Sequence, residues 1–276
     1  MDHANRLNGT SASPDASDPA VKSPAGCGIA FMAKASAPGR AKTRLVPPLT
    51  FEEAAALNTA FLKDVADNVL AAAQHAGIAG YAAFGPPGSE DFFQRTLPPA
   101  IGLIDAWLPN FGDCLLRTIE QILGRDHDAA VVLNADSPTL PTAFLVETAE
   151  VLARPGDRTV LGPSSDGGYY LLGLKTAHRH MFNDIAWSTE RVAAQTLERA
   201  REIGLDVHRL PVWYDVDEVD DLSRLYAELN GTAAHRPLDH QPHNAAHTAA
   251  LLTGLWRDRD FHRRTADFFP AEALRA

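Results

Sequence analysis

Short apolar segments that alternate with longer amphipathic ones constrain the fold of this chain more than any other feature. Residues 27–33 and 129–133 are continuously apolar, which is typical of strands buried in the middle of a sheet. Between them, Leu57, Phe61 and Val65 recur every four residues and form one stripe of a helix. This alternation predicts an α/β domain with a doubly wound, mostly parallel sheet flanked by helices.

The same patterns place the other elements along the chain. Thr50 and Glu53 have the spacing of a capping box, so we expect a long helix to begin there. The predicted strands cover residues 27–33, 78–84, 102–108, 129–133, 159–161, 169–174 and 207–212. The predicted later helices cover residues 114–123, 144–152, 189–203 and 219–229. Ligands of such sheets bind beyond the carboxyl ends of the strands, so the loops that leave the strands are the first candidates for a site.

Composition divides the chain into three parts. Residues 1–24 are rich in Ser, Ala, Asp and Pro, and we expect a disordered tail there. Residues 25–230 carry the alternating pattern and form the predicted functional domain. Residues 231–276 begin with a His-, Ala- and Pro-rich stretch and form a C-terminal extension, which either packs on the main domain or lies loosely beside it.

Charge and apolar content limit the partners of the chain. Its 25 Lys and Arg against 35 Asp and Glu give a net charge of −10, which argues against nucleic acid and acidic membranes as nonspecific partners. No apolar stretch approaches the roughly 20 residues that span a bilayer. With two cysteines and no hydrophobic secretory segment, the expected location is the cytoplasm. The sequence leaves the oligomeric state open, a homodimer included.

A loop with four cations, residues 34–45, directly follows the first strand. Lys42 and Arg44 are expected to bind a diphosphate, and Gly39 lets the backbone approach it closely. Lys34 and Thr43 complete the predicted phosphate-binding set. The loop has neither the Walker A nor the dinucleotide-binding glycine pattern, and the alternative is an exposed charged loop.

Carboxylates follow the central strand and the last strand. Asp136 stands immediately beyond residues 129–133, where it can hold Mg²⁺ or Mn²⁺ or, alternatively, cap the next helix. Asp215 and Asp217 precede the last helix of the domain, and Asp217 is the predicted second ligand of the same cation. The acids that follow them fit the first turn of that helix.

An Asp-Gly-Gly-Tyr turn leads into the strand at 169–174. Asp166 begins the turn. Gly167 and Gly168, which follow it, permit positive φ or the close approach of a ligand, so these two glycines and Tyr169 are predicted to bind substrate. The alternative is a plain Asp-Gly hairpin turn. Trp187 is a candidate platform for a sugar ring, or else an ordinary half-buried tryptophan.

These segments together resemble a known family. They are, in order, Lys34 with Pro38-Gly39 and Lys42-Thr43-Arg44-Leu45, then Ala135-Asp136-Ser137-Pro138, then Gly162-Pro163 with Asp166-Gly167-Gly168-Tyr169-Tyr170, then Ile185 with Trp187-Ser188-Thr189, then Asp215-Val216-Asp217 with Asp221-Leu222. This order is similar to that of bacterial glycosyltransferase-like proteins of the nucleotide-diphospho-sugar transferase superfamily, a group often labelled arsenosugar-associated. The resemblance covers residues 26–230 and implies a GT-A-type catalytic domain and a divalent cation.

A more distant resemblance links the same stretch to phospholactate guanylyltransferase, through Ala41-Lys42-Thr43-Arg44-Leu45. That family usually has Thr-Asn where this chain has Tyr169 and Tyr170. Members of the superfamily commonly have a D-x-D motif at the end of the strand that leads to the metal site, whereas this chain has Asn134 in place of the first Asp. Asp217 is therefore the more important partner of Asp136.

The resemblance implies a reaction between a nucleotide-sugar donor and a small-molecule acceptor. Lys42 and Arg44 would neutralise the diphosphate, and a cation on Asp136 and Asp217 would stabilise the departing oxygens. Asp166 would orient or deprotonate the acceptor hydroxyl.

Three alternatives remain open at this point. The first is a nucleotidyltransferase that joins a nucleoside triphosphate to a small phosphorylated acid. The second is a non-catalytic nucleotide-binding protein. The third is a zinc site on His235, His240, His243 and His247, against which a solvated His-rich segment is the expected structure.

Overall fold

Seven strands form one sheet in the computed structural model, which describes residues 26–231, 240–266 and 268. In chain order they are β1 (Cys27–Lys34), β2 (Ile78–Gly85), β3 (Gly102–Asp105), β4 (Ala129–Leu133), β5 (Arg158–Pro163), β6 (Tyr169–Leu174) and β7 (Asp206–Arg209). Their spatial order is β3-β2-β1-β4-β6-β5-β7. Every neighbouring pair is parallel except those of β6, which runs antiparallel to β4 and β5. The predicted mostly parallel sheet is confirmed.

Helices cover both faces of the sheet. They are α1 (Phe51–Ala72), α2 (Glu90–Thr96), α3 (Phe111–Leu123), α4 (Thr142–Ala153), α5 (Val192–Glu202), α6 (Val219–Leu229), α7 (Ala246–Trp256) and α8 (Arg259–Thr265). Successive side chains of a strand point to opposite faces, so Ile29 and Phe31 pack with α1 while Ala30 packs with α3. Two apolar cores result, one on each side of the sheet.

The antiparallel strand β6 explains how the site loops meet. Parallel strands β1, β4 and β5 all end at the same edge, and β6 begins at that edge because it runs the other way. The amide of Asn134, just after β4, donates to the carbonyl of Tyr170 near the start of β6, at 2.8 Å. The segments after β1 and β4 and the turn between β5 and β6 therefore lie side by side.

The predicted elements agree with the observed ones in type, and a few differ in extent. Thr50 and Glu53 form both bonds of the capping box that opens α1. Strand β3 ends at Asp105 rather than at residue 108, because the next residues turn toward α3, where the Leu108 amide donates to Cys114 Sγ. Strand β7 ends at Arg209, shortly before Pro211, which has no amide hydrogen to donate. The short helix α2 was not predicted.

The C-terminal segment packs on the main domain through α7. The carboxylate of Asp64 on α1 is buried at the start of α7 and accepts the amides of His247 and Thr248, at 2.9 and 2.8 Å. The Glu53 carboxylate accepts two bonds from Arg264 of α8. The predicted disordered tail and His235 lie outside the described residues. Across the ranges that the structure does describe, no helix is both long and apolar enough to cross a bilayer.

Candidate active site

A cleft of about 730 Å³ opens at the edge where the strands β1, β4 and β5 end. It takes its walls from the loop after β1, the segment after β4, the turn before β6 and the segment before α6. Of the predicted site residues, those that line it are Lys34, Lys42, Thr43, Arg44, Asp136, Asp166, Gly168, Tyr169, Trp187 and Asp217. Residues far apart in the chain thus meet in one place, whereas Gly39 and Gly167 support the loops without lining the cleft.

The ammonium group of Lys42 lies between the two carboxylates that the sequence singles out. Its Nζ is 2.6 Å from Asp136 Oδ1 and 2.9 Å from Asp217 Oδ1, and it donates to the carbonyl of Val216 at 2.6 Å. The side chain is only 6% exposed. These contacts use all three donors of the ammonium group, so in this state Lys42 is engaged with the acids rather than free for a phosphate.

Backbone geometry and electrostatics both hold Lys42 in place. Its φ of 49° lies in the left-handed region, which few residues with a side chain adopt. Burial disfavours the charged ammonium, but the negative charges of Asp136 and Asp217 outweigh burial and raise the pKa of Lys42. The lysine is therefore a fixed positive charge at the centre of an acidic group.

Asp136 and Asp217 suit a divalent cation in their chemistry. Their side chains are 36% and 43% exposed, so both carboxylates also face the cleft. Among the described residues no third His, Cys, Asp or Glu joins the two within 4.8 Å. Mg²⁺ is commonly held by one or two carboxylates and completes its shell with substrate phosphates and water, so this pair fits such an ion.

Hydrogen bonds fix the segment that carries Asp217 against the one that carries Asp136. The amide of Val216 donates to the carbonyl of Asp136 at 2.9 Å, and Ser137 Oγ donates to the carbonyl of Tyr214 at 2.8 Å. The amide of Asp217 donates to Asp221 in the first turn of α6. These bonds fix the position of Asp217 relative to Asp136 without any ligand.

Asp215 adds another carboxyl group to the lining of the cleft. Burial raises its pKa to about 6, and the charges of Asp166 and Asp217 act in the same direction. Ser164 Oγ donates to its carboxylate at 3.3 Å.

The Asp-Gly-Gly turn places Asp166 at the cleft. The amide of Gly168 donates to Asp166 Oδ1 at 2.8 Å, which closes the turn. Gly167 has φ +89°, and a Cβ there would stand 2.1 Å from the carbonyl oxygen of Glu190. Only glycine fits that position without movement of the backbone. The Gly167 carbonyl accepts from Ala193 at 3.0 Å, which ties the turn to the start of α5.

Three exposed cations face the cleft beside Lys42. They are Lys34, Arg40 and Arg44, and within the described part of the chain none of them makes an ion pair. Asn58 on α1 donates to the carbonyl of Lys34 at 3.1 Å and to Ser36 Oγ at 2.8 Å, which anchors the start of their loop. Gly39 has φ +71° in the same loop, so a turn rather than the close approach of a ligand accounts for this glycine.

Part of the chain matches a known protein family. Residues 67–189 match the family described as "Uncharacterized protein conserved in bacteria (DUF2064)". None of the curated proteins matches the chain in sequence.

Solved structures share the fold. A protein of Desulfovibrio desulfuricans G20, provisionally named a nucleotide-diphospho-sugar transferase, is 25% identical, with a TM-score of 0.71 over 86% of this chain and 97% of that one. A cytidylyltransferase from Leptospira borgpetersenii is 10% identical, with a TM-score of 0.50 over 86% of this chain and 96% of its own. The second likeness concerns the fold alone. The α/β fold of nucleotide-diphospho-sugar transferases, predicted from the sequence, is confirmed.

An aromatic pair at the rim of the cleft was only half predicted. Phe111, the first residue of α3, is 51% exposed and packs edge-on against Trp187, with ring centroids 5.5 Å apart. Trp187 also covers Gly112, where a Cβ would stand 2.7 Å from the indole. Nothing in the sequence distinguishes Phe111 from a core phenylalanine, since only the fold shows that it faces the cleft.

A second group of ionisable residues lies on α1 and α7 and does not line the cleft. Ligand atoms of Asp64, Asp67 and His247 lie within 4.8 Å of one another. Both oxygens of Asp64 already accept hydrogen bonds from the start of α7, and His247 Nε2 lies 3.2 Å from Asp67. These contacts account for the group as an anchor for α7.

Proposed function

We propose that this protein is a transferase that acts on a nucleotide-activated donor, most specifically a glycosyltransferase that uses a nucleotide-diphospho-sugar and a small-molecule acceptor. One observation carries the proposal: the Lys42 ammonium meets Asp136 and Asp217 within hydrogen-bonding distance, inside the cleft that also holds exposed cations. An acid pair beside a basic loop is the arrangement that a diphosphate with its cation requires.

Unpaired cations supply the binding energy for the donor. Lys34, Arg40 and Arg44 are exposed at the cleft, and a diphosphate there would form charge-assisted hydrogen bonds with them. The overall charge of −10 disfavours an anionic ligand, so this recognition depends on these few side chains. Phe111 and Trp187 offer an aromatic face at the rim for a base or a sugar ring.

Asp136 and Asp217 are the proposed ligands of Mg²⁺ or Mn²⁺. A divalent cation bound there supplies a Lewis acid that stabilises charge on the departing diphosphate. With a cation held by Asp136 and Asp217, the Lys42 ammonium would no longer be needed to neutralise the two carboxylates and could donate to the phosphates instead.

Asp166 is the proposed group that orients or deprotonates the acceptor hydroxyl. Its carboxylate accepts from the Gly168 amide and lines the same cleft as the basic loop. Tyr169 and Gly168 line the cleft next to it and form the proposed acceptor side.

A ligand panel tests the proposal. Thermal unfolding is measured with nucleoside diphosphates, nucleoside triphosphates and nucleotide sugars, each with and without Mn²⁺. We expect nucleotide sugars with Mn²⁺ to raise Tm by several degrees, and Asp217→Asn to abolish the part that depends on Mn²⁺. The absence of any nucleotide effect would remove the proposal.

A nucleotidyltransferase is the second candidate. The observation in its favour is that three cations line the cleft besides Lys42 and form no ion pair with any described residue, enough to accompany a triphosphate. Incubation with the four nucleoside triphosphates and small phosphorylated acids decides between the two. Release of pyrophosphate that depends on the acid would establish this candidate, and transfer from a nucleotide sugar would establish the first.

A further inference from the structure

Asn58 presents one hydrogen-bond acceptor to the cleft. The residue belongs to α1, and it lines the cleft although only 8% of its surface is exposed. The polar atoms of side chains that are buried to this extent are nearly always paired. An acceptor that such a side chain leaves open at the wall of a cleft therefore marks a contact for a ligand.

The neighbours of Asn58 fix which end of its amide is open. Its Nδ2 donates to the Lys34 carbonyl at 3.1 Å and to Ser36 Oγ at 2.8 Å. A carbonyl oxygen can only accept, so the nitrogen must be the atom that faces Lys34, and both of its hydrogens are used. Oδ1 accepts from no residue that the structure describes, and it is not enclosed, so it stays accessible from the cleft.

The surroundings of this oxygen carry positive charge. Lys34, whose carbonyl holds the Asn58 amide, itself lines the cleft. The Lys42 ammonium lies over the ring of Phe61, which follows Asn58 by one turn of α1, at 5.3 Å from the ring centroid. A diphosphate bound by these cations has only acceptor oxygens, so it offers nothing to Oδ1. Asn58 Oδ1 therefore requires an O–H or N–H group elsewhere on the same ligand.

In a nucleotide, the donor groups nearest to the diphosphate are the hydroxyls of the ribose, whereas the N–H groups of the base lie beyond the sugar. We propose that Asn58 Oδ1 accepts a hydrogen bond from a ribose hydroxyl of the donor nucleotide, so that Asn58 selects ribonucleotides over deoxyribonucleotides. Asparagine suits this position because its amide donates to the loop and accepts from the ligand, which an ionised Asp or a Leu cannot do. This inference rests on the proposed function, since it assigns Asn58 to the donor of that reaction.

The diphosphates of adenosine, guanosine, cytidine and uridine, with their 2′-deoxy and 3′-deoxy counterparts, are the probes that test it. The dissociation constant of each nucleotide is measured by calorimetry on the full chain with Mn²⁺. We expect at least one deoxy form to bind about two- to tenfold more weakly than the ribonucleotide with the same base, as the loss of one hydrogen bond predicts. Equal affinity of all three forms, for every base that binds, would overturn the proposal.

Variants of Asn58 test whether its acceptor causes that preference. Asn58→Leu and Asn58→Ala remove Oδ1 at two side-chain volumes, and circular dichroism verifies their folding. In the folded variants, ribose and deoxyribose forms should bind with equal affinity, whereas a loop that is merely loosened would weaken all forms by the same factor.

Ser36→Ala is the matched control, because it removes one partner of the Asn58 amide and leaves Oδ1 in place. Its preference for ribose should equal that of the wild type. A preference that persists in Asn58→Leu and Asn58→Ala, or disappears in Ser36→Ala, contradicts the role of Asn58.

The same titrations separate this inference from the proposed function. If diphosphates bind with Mn²⁺ but the sugar makes no difference, only the role of Asn58 is wrong. If no diphosphate binds, the proposed function fails, and the role of Asn58 fails with it. A preference among bases, rather than among sugars, that Asn58→Ala cancels would show that Oδ1 contacts the base, which also overturns the proposal.

Discussion

Lys42 Nζ lies 2.6 Å from Asp136 Oδ1, which joins the loop after the first strand to the segment after the central strand. The basic loop and the acidic group are therefore not separate surfaces but one charge network. A cation and a diphosphate that enter this network must rearrange it, because the lysine has no free donor while it holds Asp136, Asp217 and Val216.

Replacement of this lysine tests the network directly. Lys42→Met leaves Asp136 and Asp217 without their positive partner, so we expect a loss of about 1–2 kcal/mol in the free energy of unfolding, less than for a fully buried pair. Mn²⁺ binding without nucleotide should become tighter, because the competing ammonium is gone. Calorimetry measures this affinity, and Lys63→Met on α1, a lysine that forms no ion pair with any residue the structure describes, is the control. Weaker Mn²⁺ binding in Lys42→Met would contradict the claim that the ammonium competes with the cation for Asp136 and Asp217.

Asp136 should be necessary for turnover but not for folding. Asp136→Asn keeps the size of the side chain and removes its charge, so Lys42 retains Asp217 as its partner. We expect turnover to fall at least about a hundredfold, because a Lewis acid at the leaving group is worth several kcal/mol. Activity and circular dichroism are measured on the same sample. Metal-dependent activity near that of the wild type would remove Asp136 from the site.

The Asp166 turn should not tolerate a side chain at Gly167. Gly167→Ala combines φ +89° with a Cβ placed 2.1 Å from the Glu190 carbonyl oxygen. We expect the free energy of unfolding to fall by about 2–4 kcal/mol, and activity to be lost as well. Gly204→Ala is the matched control, because Gly204 also has positive φ but nothing lies within 4 Å of its Cβ position. Urea unfolding should show a loss of only about 1–2 kcal/mol in the free energy of unfolding for Gly204→Ala. An equal loss in both variants would mean that backbone strain alone explains the glycine at 167.

Asp64 should contribute far more to stability than its neighbour Asp67. Asp64→Ala leaves the buried amide and hydroxyl of Thr248 without their acceptor, and we expect a cost of about 2–4 kcal/mol. Asp67→Ala removes a pair with His247 in which both side chains are more than 40% exposed, and should cost less than about 0.5 kcal/mol. Similar values from urea unfolding would show that Asp64 does not anchor α7.

His243 should make the fold sensitive to mild acid. Burial lowers the pKa of its imidazole, so the folded protein keeps the ring neutral while the unfolded chain protonates it near the ordinary value of about 6.5. Its contribution is complete above that pH and is lost as the pH falls through the lower, native pKa. Urea unfolding at pH 7.5 and pH 5.0 should show a smaller decrease for His243→Gln than for the wild type. An identical decrease would assign the acid sensitivity to other groups.

The sequence predicts the fold and the meeting of three charged residues at the cleft for a simple physical reason. Buried strands and capped helices have local signatures, and parallel strands bring their carboxyl ends to one edge, so Lys42, Asp136 and Asp217 were expected to meet. The details that depend on long-range contacts were not predictable. They include the antiparallel direction of β6, and the bond between Asp64 and Thr248, which are 184 residues apart in the chain.

The bonding partners of Lys42 could not be predicted from the sequence. Its position in a basic loop indicates a phosphate ligand, and only the structure shows that its three donors go to Asp136, Asp217 and Val216. Charge content cannot distinguish a lysine that is free from one that is paired across 175 residues.

Electron paramagnetic resonance of Mn²⁺ tests the central claim most directly, with a nucleoside diphosphate present and three forms of the chain. We predict one Mn²⁺ per wild-type chain, binding at least about tenfold weaker in Asp217→Asn, and unchanged binding in Asp67→Asn. Wild-type affinity in Asp217→Asn, or loss of binding in Asp67→Asn instead, would show that the carboxylates around Lys42 do not hold the cation.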